Sequence, residues 1–319
     1  MENIYSKTPT CPTCRSTELG YLFKSNDYIS LDYFGVYKCT NCDLAITNIN
    51  STNKNISDYY LRGYYGRRKS FIENTINCAR VKAVSKLTNF TQPPALLDIG
   101  CGNGTFLISM RKQGWLSFGT EIAPSGHIKG NMKEFIRKED FKNTDFEKNY
   151  FDLVTLWHSL EHVEDPLGYL IKAKRVLRTG GTLLLEIPNF QSWQARFFKD
   201  DWFNLDVPRH LFHFSPKSIN IILKEAGFDK VTVKNGSLIY GFFGCLQSVL
   251  NVLSTRKNLF FDFLNSKVSL YTMYCNNRRD LFANVVLFVP ALVFSAVMFL
   301  VELIVGRSGI IIVSARKLV

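Results

Sequence analysis

The feature that most constrains this sequence is a short apolar strand pattern that turns through three glycines into a helical pattern. Residues 95–99 are mostly apolar, Gly100, Gly102 and Gly104 follow at alternate positions, and residues 105–113 have helical spacing. Strand, glycine turn and helix in this order are typical of a doubly wound α/β sheet. Glycines let the backbone pass close to a ligand, and a helix start offers unpaired N–H groups. The sequence therefore predicts a nucleotide-type ligand at this turn.

Strand and helix patterns continue to alternate after the turn. Residues 117–122 are predicted as a second strand that ends near Glu121. An acid at that place can accept hydrogen bonds from both hydroxyls of a ribose. Residues 166–177 have the apolar spacing of a helix. The remaining predicted core strands are residues 134–140, 151–157, 181–187, 230–236 and 309–317.

Four motifs are spaced along this predicted core. They are Asp98-Ile-Gly-Cys-Gly-Asn-Gly104, Glu121, Phe151-Asp152-Leu-Val with Leu160-Glu161-His162, and Leu177-Arg-Thr-Gly-Gly181. With them the chain resembles the class I S-adenosylmethionine-dependent methyltransferases, over residues 70–240 and the last strand. Dinucleotide dehydrogenases are the competing family, but their glycines follow G-x-G-x-x-G, whereas the spacing here is G-x-G-x-G. The resemblance implies a doubly wound, Rossmann-like α/β fold with a seven-stranded sheet whose last strand runs antiparallel.

The same resemblance implies which residues hold the cofactor. The set is Asp98, Gly100, Cys101, Gly102, Gly104, Glu121, Ile122, Asp140 and His158. The three glycines would line the methionine part of S-adenosylmethionine, and Asp98 would lie near its amino group. Glu121 would bind the ribose. Asp140 would reach the adenine amine, with Glu139 and Asp145 as close alternatives in a stretch without a sharp motif.

Catalysis of methyl transfer requires few fixed residues. Transfer from a sulfonium is an in-line displacement, so the protein mainly positions the acceptor and removes its proton. His158, Glu161 and His162 follow the fourth predicted strand, at the edge where ligands of such sheets bind. Glu161 and His162 are therefore candidate catalytic residues. The alternative is structural, with His162 hydrogen-bonded below the site and Glu161 capping a turn.

A more distinctive segment, residues 187–216, follows the fifth predicted strand. It resembles an insertion in a branch of the same family that is often fused to a zinc ribbon and often found among glycan-modifying enzymes. Arg209 could hold an anionic group while the neighbouring His210 acts as a base near pH 7. His210 is therefore the first candidate for catalysis. Alternatively, His210 and His213 flank a loop-to-helix turn that Ser215 caps.

Two C-x-x-C pairs near the amino terminus predict a metal site. Cys11 with Cys14, and Cys39 with Cys42, are separated by 24 residues, a spacing typical of a zinc ribbon. Four thiolates fill a tetrahedral site and leave no position for water, so the zinc would be structural. The chain between the pairs is too short to hold a core without the ion. The alternative is a pair of redox dithiols or unligated surface cysteines.

An apolar stretch near the carboxyl end suggests membrane association. Residues 281–301 contain no charged residue and are long enough to span a bilayer. The last strand must return to the sheet that holds the sixth, so an even number of crossings, or none, is required. A first apolar helix at 241–264 is broken at 254–257, and Pro290 interrupts the second. We expect a re-entrant hairpin or helices in the interface, with basic flanks near anionic headgroups; the alternative is a dimer interface.

The expected organisation follows the order of these features. It is a zinc ribbon at 1–47, a linker and helical cap at 48–90, the methyltransferase core at 91–240, a membrane-associated apolar insertion at 241–306 and the last core strand at 307–319. The polar amino terminus has no signal-peptide pattern, so we expect a peripheral or monotopic protein on the cytoplasmic side of the membrane.

The expected function is methylation of a small-molecule or lipid-linked acceptor, such as a glycan intermediate or a quinone. A net charge of +12 favours an anionic partner. The alternative is a zinc-ribbon-bearing RNA methyltransferase, but an RNA enzyme gains nothing from the apolar insertion, so nucleic acid is not the expected partner. A non-enzymatic scaffold is disfavoured because the glycines and Glu121 are intact. The sequence leaves the oligomeric state open.

Overall fold

The computed structural model describes residues 10–49, 54–60, 70–87, 90, 92–122, 128, 130–236, 238–265 and 267–318. The chain forms two compact units, each assembled from three stretches. Unit 1 comprises Met1–Arg68, Pro188–Ile219 and Asn235–Ile311, and unit 2 comprises Lys69–Ile187, Asn220–Lys234 and Ile312–Val319. Residues 61–69, an aromatic and basic stretch of the sequence, lie outside the described residues.

Strands and helices alternate along most of the chain. The strands are β1 Leu19–Asn26, β2 Tyr33–Cys39, β3 Ala45–Asn48, β4 Ala95–Ile99, β5 Leu116–Thr120, β6 Ile136–Arg137, β7 Phe151–Trp157, β8 Leu177–Pro188, β9 Phe212–His213, β10 Asp229–Asn235 and β11 Ile310–Arg316. The helices are α1 Ser70–Ser85, α2 Thr105–Arg111, α3 Pro166–Val176, α4 Trp193–Phe198, α5 Pro216–Glu225, α6 Leu238–Val252, α7 Leu259–Leu264, α8 Leu270–Asn276, α9 Arg278–Val286 and α10 Phe288–Val305.

Unit 2 is built on a seven-stranded sheet in the order β10-β11-β8-β7-β4-β5-β6. The pairs from β8 through β7, β4 and β5 to β6 are parallel. Backbone hydrogen bonds place Gly180 opposite Lys317 and Asn189 opposite Gly309, so β11 runs antiparallel to β8. The predicted fold class, including the antiparallel last strand, is confirmed.

The third predicted core strand is much shorter than expected. Residues 134–140 were predicted to form it, but only Ile136–Arg137 pairs with β5. The Asp140 carboxylate accepts a hydrogen bond from the Lys142 N–H at 2.7 Å, which starts a turn. Polar side chains that hydrogen-bond their own backbone end the strand here, so the prediction was too long.

The central strands of unit 2 hold the glycine turn in place. Every residue of β4 and β7 is buried, as expected of parallel strands covered on both faces. Phe106, Leu107 and Met110 of α2 pack into the same core as Leu96 of β4. Because strand and helix are both anchored in the core, the turn between them has little freedom to move.

Unit 1 contains a four-stranded antiparallel sheet in the order β1-β2-β3-β9. Its first two strands, β1 and β2, cover the alternating patterns that the sequence shows at residues 21–23 and 33–38. The fourth strand pairs Ala45 with His213 and Ile46 with Phe212. The pairing of residues 212–213 with the cysteine-bearing sheet was not predictable from the sequence, because a two-residue strand has no recognisable periodicity.

The cysteine-bearing sheet shares a core with later parts of the chain. Phe34 and Val36 of β2 pack in one buried cluster with Tyr59, with Trp202 and with Cys245 of α6. The apolar insertion therefore contributes side chains to the core of unit 1. We infer that the amino-terminal strands depend on α6 for their hydrophobic core as well as on their cysteines.

The apolar insertion forms the five helices α6 to α10. The predicted break at 254–257 is confirmed, since it lies between α6 and α7. The predicted interruption at Pro290 was wrong. Pro290 lies in the first turn of α10, where a missing N–H costs no intrahelical hydrogen bond, and the boundary with α9 falls at Leu287. By length and composition α10 could cross a membrane, with a mean hydropathy of 2.5.

Candidate functional site

The glycine turn between β4 and α2 is open on the side where a ligand would approach. Gly100, Gly102 and Gly104 all have positive φ, at 75°, 59° and 81°. A Cβ on Gly100 would lie 2.4 Å from the Ser159 Oγ, so no side chain fits there. A Cβ on Gly102 would meet no atom within 4 Å. The backbone at Gly102 is therefore accessible to a bound molecule, as the predicted cofactor requires.

Glu121 lies beside this turn, directly after β5. Its Oε2 accepts a hydrogen bond from the Gly102 N–H at 2.9 Å. The carboxylate is thus held at the carboxyl edge of the sheet, where an acid can reach the two hydroxyls of a ribose. The Ile122 side chain is exposed next to it and is available to cover an apolar ligand surface.

Asp98 and Cys101 are both buried, with different consequences. The Asp98 Oδ1 accepts a hydrogen bond from the Thr155 hydroxyl at 2.6 Å, and burial raises the pKa of this carboxyl to about 7. A nearby cation would restore the carboxylate. The Cys101 thiol packs against β5 at Gly119, and burial raises its pKa, so it stays neutral. Cys101 therefore faces the site only through its backbone.

Two residues of α1 were missed by the sequence analysis. Arg80 Nε and Asn77 Nδ2 are buried donors with no hydrogen-bond partner among the described residues. The Arg80 guanidinium lies 5.3 Å from the Trp157 ring, and its charge acts on Asp98 to favour the carboxylate. Unpaired buried donors are rare, and here they suit a ligand carboxylate. The available signal was their three-residue spacing on one helix face.

The Glu73 side chain links helix α1 to the glycine turn. Glu73 Oε1 accepts hydrogen bonds from Asn103 Nδ2 at 2.8 Å and from the Thr105 hydroxyl at 2.5 Å. Asn103 belongs to the turn and Thr105 begins α2. These hydrogen bonds therefore fix the position of α1, and with it Asn77 and Arg80, relative to the glycine turn.

The adenine-site candidates differ in their surroundings. Asp140 is half-buried, and its carboxylate accepts hydrogen bonds from the Lys142 N–H and the Tyr169 hydroxyl. Asp145 is exposed and lies 3.7 Å from Arg175, and Glu139 is also exposed. The assignment of Asp140 to the adenine amine stays a prediction.

His158 is paired with two buried carboxylates. It has φ +54°, its Nε2 lies 3.1 Å from Glu186 Oε1, and its Nδ1 lies 3.5 Å from Glu161 Oε1. Burial alone would disfavour the imidazolium, but the two carboxylates raise the pKa of His158 to about 10. His158 is therefore charged at neutral pH and is no general base. The adjacent His162 is half-buried.

His210 lies in unit 1 and is almost completely buried. Its Nδ1 is 2.8 Å from the Asn204 carbonyl oxygen. A carbonyl only accepts, so Nδ1 carries the hydrogen, and Nε2 is the basic nitrogen of the neutral ring. In this tautomer Nε2 is the nitrogen that can accept a proton, and the catalytic role of His210 stays a prediction.

The interpretation of Arg209 as an anion-binding residue was wrong. Its side chain is completely buried, and its guanidinium contacts Asp27 at 2.8 Å and Asp206 at 2.7 Å. It therefore joins the β1–β2 turn to the segment before β9. His213 is also structural, because its Nε2 lies 2.9 Å from the Thr47 hydroxyl.

The four amino-terminal cysteines lie together. The sulfurs of Cys11 and Cys42 are 3.4 Å apart, as are those of Cys14 and Cys39, and all four lie within 4.8 Å of one another. Four thiolates at about 2.3 Å from a zinc ion would be about 3.8 Å apart, so the set fits a Cys₄ zinc site. The hydrogen bond from Cys42 lowers the pKa of Cys11, which favours the thiolate that a metal needs.

Two solved structures show the same fold as this chain. One is Haemonchus contortus phosphoethanolamine N-methyltransferase 2 in complex with S-adenosyl-L-methionine. It has a TM-score of 0.50 and 15% identity, covering 94% of this chain and 69% of that one. The other is a complex of the Haloferax volcanii Trm112 methyltransferase activator with a methyltransferase, with a TM-score of 0.50, 13% identity, and 83% and 99% coverage.

Similarity in sequence is confined to part of the chain. A ubiquinone biosynthesis O-methyltransferase of Histophilus somni is 30% identical over 132 residues, which are 37% of this chain and 56% of that protein. One of Cereibacter sphaeroides is 28% identical over 152 residues, 44% of this chain and 62% of that protein. The match thus spans little more than half of each relative. The methyltransferase domain family matches residues 71–233, about half of the chain, and the chain is therefore a member of that family.

Proposed function

We propose that this protein transfers a methyl group from S-adenosylmethionine to a quinone-type or lipid-linked acceptor. The observation that carries the proposal is the hydrogen bond from the Gly102 N–H to Glu121 beside an open glycine turn. It holds a ribose-binding acid at the place where the backbone admits a ligand. The strand order and the family membership agree with it.

The chain's own residues supply binding and orientation. Glu121 accepts the ribose hydroxyls, and the backbone at Gly102 contacts the methionine part. Arg80 and Asn77 would donate to the methionine carboxylate, and Asp98, whose pKa burial has raised, would be held as a carboxylate beside the methionine ammonium. When bound, the cofactor supplies the electrophilic methyl group on its sulfonium. No metal is needed for that displacement, so the zinc site remains structural in this proposal.

Proton removal from the acceptor is assigned to His210. A hydroxyl acceptor, as on a quinol ring, becomes a stronger nucleophile when its proton leaves. His210 Nε2 is the basic nitrogen in the tautomer that Asn204 selects. Glu161 and His162 are the next candidates, and Glu161 already pairs with His158 at 3.5 Å.

The quinone-type acceptor is suggested by the printed names of the relatives, both involved in ubiquinone biosynthesis. A lipid-linked acceptor fits the same expectation, because its chain is held by a membrane. We propose that the protein works at the cytoplasmic surface of the membrane. Support comes from α10, most of which is not buried in the protein although it is strongly apolar.

Cofactor binding tests the core of the proposal. Titration calorimetry of S-adenosylmethionine should show that Glu121→Ala loses roughly 1.5 to 3 kcal/mol of binding free energy, because a charge-assisted pair to the ribose disappears. Glu147→Ala, which removes an exposed acid elsewhere in unit 2, is the matched control and should bind as the wild type does. Equal affinity in both variants would show that the ribose is held by another residue.

A further inference from the structure

Helices α9 and α10 present an extended apolar face that unit 1 does not cover. Eleven large apolar side chains of the two helices are exposed. Phe282 of α9 is 70% exposed, and Ile304 near the end of α10 is 85% exposed. Val289, Val293 and Val297, at four-residue spacing, align along one side of α10. A soluble monomer rarely leaves such a row in water.

The opposite side of α10 is fixed to the protein along its length. Ala291, Ser295, Phe299 and Glu302 are buried at helical spacing. The Glu302 carboxylate accepts hydrogen bonds from the Gln194 N–H at 2.9 Å and from its Nε2 at 2.6 Å. A helix attached at both ends to a folded unit lies on that unit's surface. It cannot leave the surface to cross a bilayer without breaking these contacts.

The short helix α4 extends the exposed surface beside α10. Phe197 of α4 is exposed, and its ring centroid lies 6.2 Å from that of Phe294. Trp193 is one turn before Phe197 and is 40% exposed. Arg196, between them, is exposed as well. We call the exposed sides of α4, α9 and α10 the apolar face.

Basic side chains mark both ends of the apolar face. Arg278 and Arg279 begin α9 and are exposed, and Arg307 follows α10 and is exposed. The Arg278 guanidinium lies 4.5 Å from the ring of the exposed Tyr274. Aromatic and basic residues around an apolar centre are the arrangement that membrane interfaces favour, with the cations beside lipid phosphates.

We propose that the apolar face docks onto a bilayer containing anionic phospholipid, with α9 and α10 lying in the plane of one leaflet and α4 at the rim. The face carries more large exposed apolar side chains than an ordinary soluble monomer leaves in one patch. A symmetric pairing of two copies would bring Arg196, Arg278 and Arg307 of each copy towards those of the other, and like charges oppose that arrangement. The proposal deepens the proposed membrane association and rests on it.

Trp193 is a built-in probe of this docking. The chain has four tryptophans, and Trp115, Trp157 and Trp202 are at most 9% exposed. Vesicles of phosphatidylcholine with about one third phosphatidylglycerol, carrying brominated acyl chains, should quench Trp193 emission. Trp193→Phe should lose that quenching and still sediment with the vesicles. Absence of quenching and of sedimentation with the wild type would overturn the proposal.

Charge placed within the apolar face should abolish docking. Val293→Asp and Val297→Asp change exposed positions, so folding should survive, and the vesicle partition coefficient should fall at least about tenfold because an acid is buried in the acyl region. Ile171→Asp, at an exposed apolar position of α3 in unit 2, is the matched control and should partition normally. An equal loss in all three variants, or in none, contradicts the assignment of this face.

Depth measurements separate an in-plane helix from a crossing one. In a Trp193→Phe background, tryptophan is placed singly at Val289, Val297 and Ile304, all exposed. Lipids brominated near the headgroup or deep in the chain should report one shallow depth for all three positions. A crossing helix would place Val297 deeper than the other two, which would overturn the in-plane arrangement.

Two further outcomes are distinguishable from these. A stable dimer in buffer that Val297→Asp dissociates, without vesicle binding, would assign the face to a second copy and refute the lipid proposal. Calorimetry of the same variants reports on the cofactor separately. Normal S-adenosylmethionine affinity with no vesicle binding refutes only the docking, whereas vesicle binding without cofactor affinity refutes the proposed methyl transfer.

Discussion

The hydrogen bond between His210 and the Asn204 carbonyl decides which ring nitrogen can accept a proton. Because the carbonyl cannot donate, Nδ1 must carry the hydrogen in the neutral ring. His158, only 52 positions earlier in the sequence, has the opposite chemistry, since Glu161 and Glu186 hold it as a cation. Their neighbours thus give the two histidines different chemistry: His158 is held as a cation, whereas His210 remains the predicted base.

His210→Ala tests the assigned base. Turnover with the true acceptor should fall by roughly 10² to 10⁴, the usual contribution of a general base, while S-adenosylmethionine affinity stays unchanged. Single-turnover assays and calorimetry measure the two quantities. His213→Gln, which keeps a hydrogen-bonding group near Thr47, serves as the control and should retain turnover. If His210→Ala retains turnover as well, His210 is structural and His162 becomes the next candidate.

Arg80→Gln tests the donors on α1. The wild type should prefer S-adenosylmethionine over its decarboxylated analogue, because the carboxylate pairs with the Arg80 guanidinium. The variant should bind both molecules about equally, with a loss of roughly 1.5 to 3 kcal/mol for the carboxylate-bearing ligand alone. Calorimetry with the two ligands provides its own control. A loss of the same size for both ligands would assign Arg80 a structural role.

The sequence predicted the role of a residue well when its partners were close in sequence and poorly when they were far away. The glycines and Glu121 belong to one short strand-turn-helix-strand pattern, so their roles were readable. Arg209 was misread because its partner Asp27 is 182 residues away. Arg80 was missed because its three-residue spacing from Asn77 is ordinary for a helix and gains meaning only from the buried Asp98 on which its charge acts.

Among the elements, α10 combines an apolar face with one buried acid. Burial raises the pKa of Glu302 to about 7, against which the hydrogen bonds from Gln194 act. Sequence periodicity predicted an apolar helix here, but it could not tell which side contacts protein. The predicted helix break at Pro290 was wrong for a related reason. A proline breaks a helix only when it lies beyond the first turn, and the sequence did not show that α10 begins just before Pro290.

Glu302→Gln should flatten the pH dependence of stability. The pKa of a glutamate is lower in the unfolded chain than the pKa of Glu302 in the folded protein. Between about pH 4.5 and 7 the folded protein therefore binds one proton more than the unfolded chain at this residue. The free energy of unfolding consequently falls as pH rises through that range. The variant carries no charge to bury. It should therefore match the wild type near pH 5 and exceed it near pH 8 by about 1 to 3 kcal/mol in denaturant unfolding. A variant less stable at both pH values would contradict this.

At the scale of the whole molecule, the cysteine site stabilises more than its own strands. Zinc should be present at about one ion per chain. Cys11→Ser, or a chelator, should lower the melting temperature of unit 1 as a whole, since β2 shares a core with Trp202 and α6. Cofactor affinity, which depends on residues of unit 2, should stay largely intact. Gently purified protein without zinc in elemental analysis would refute the metal assignment.

The discontinuity of unit 1 governs the order in which it can fold during synthesis. Its first strands leave the ribosome early. The hydrogen bond between the Thr47 hydroxyl and His213 can form only after 166 more residues have been synthesised, and the bond from the Gly236 N–H can form only once Ile310 has been made. Closing such long loops is slow, and unpaired strand edges stay exposed meanwhile. A metal bound to the cysteines at the outset would keep the nascent strands together during that delay. The ion would then stabilise the amino-terminal strands during synthesis as well as in the folded protein.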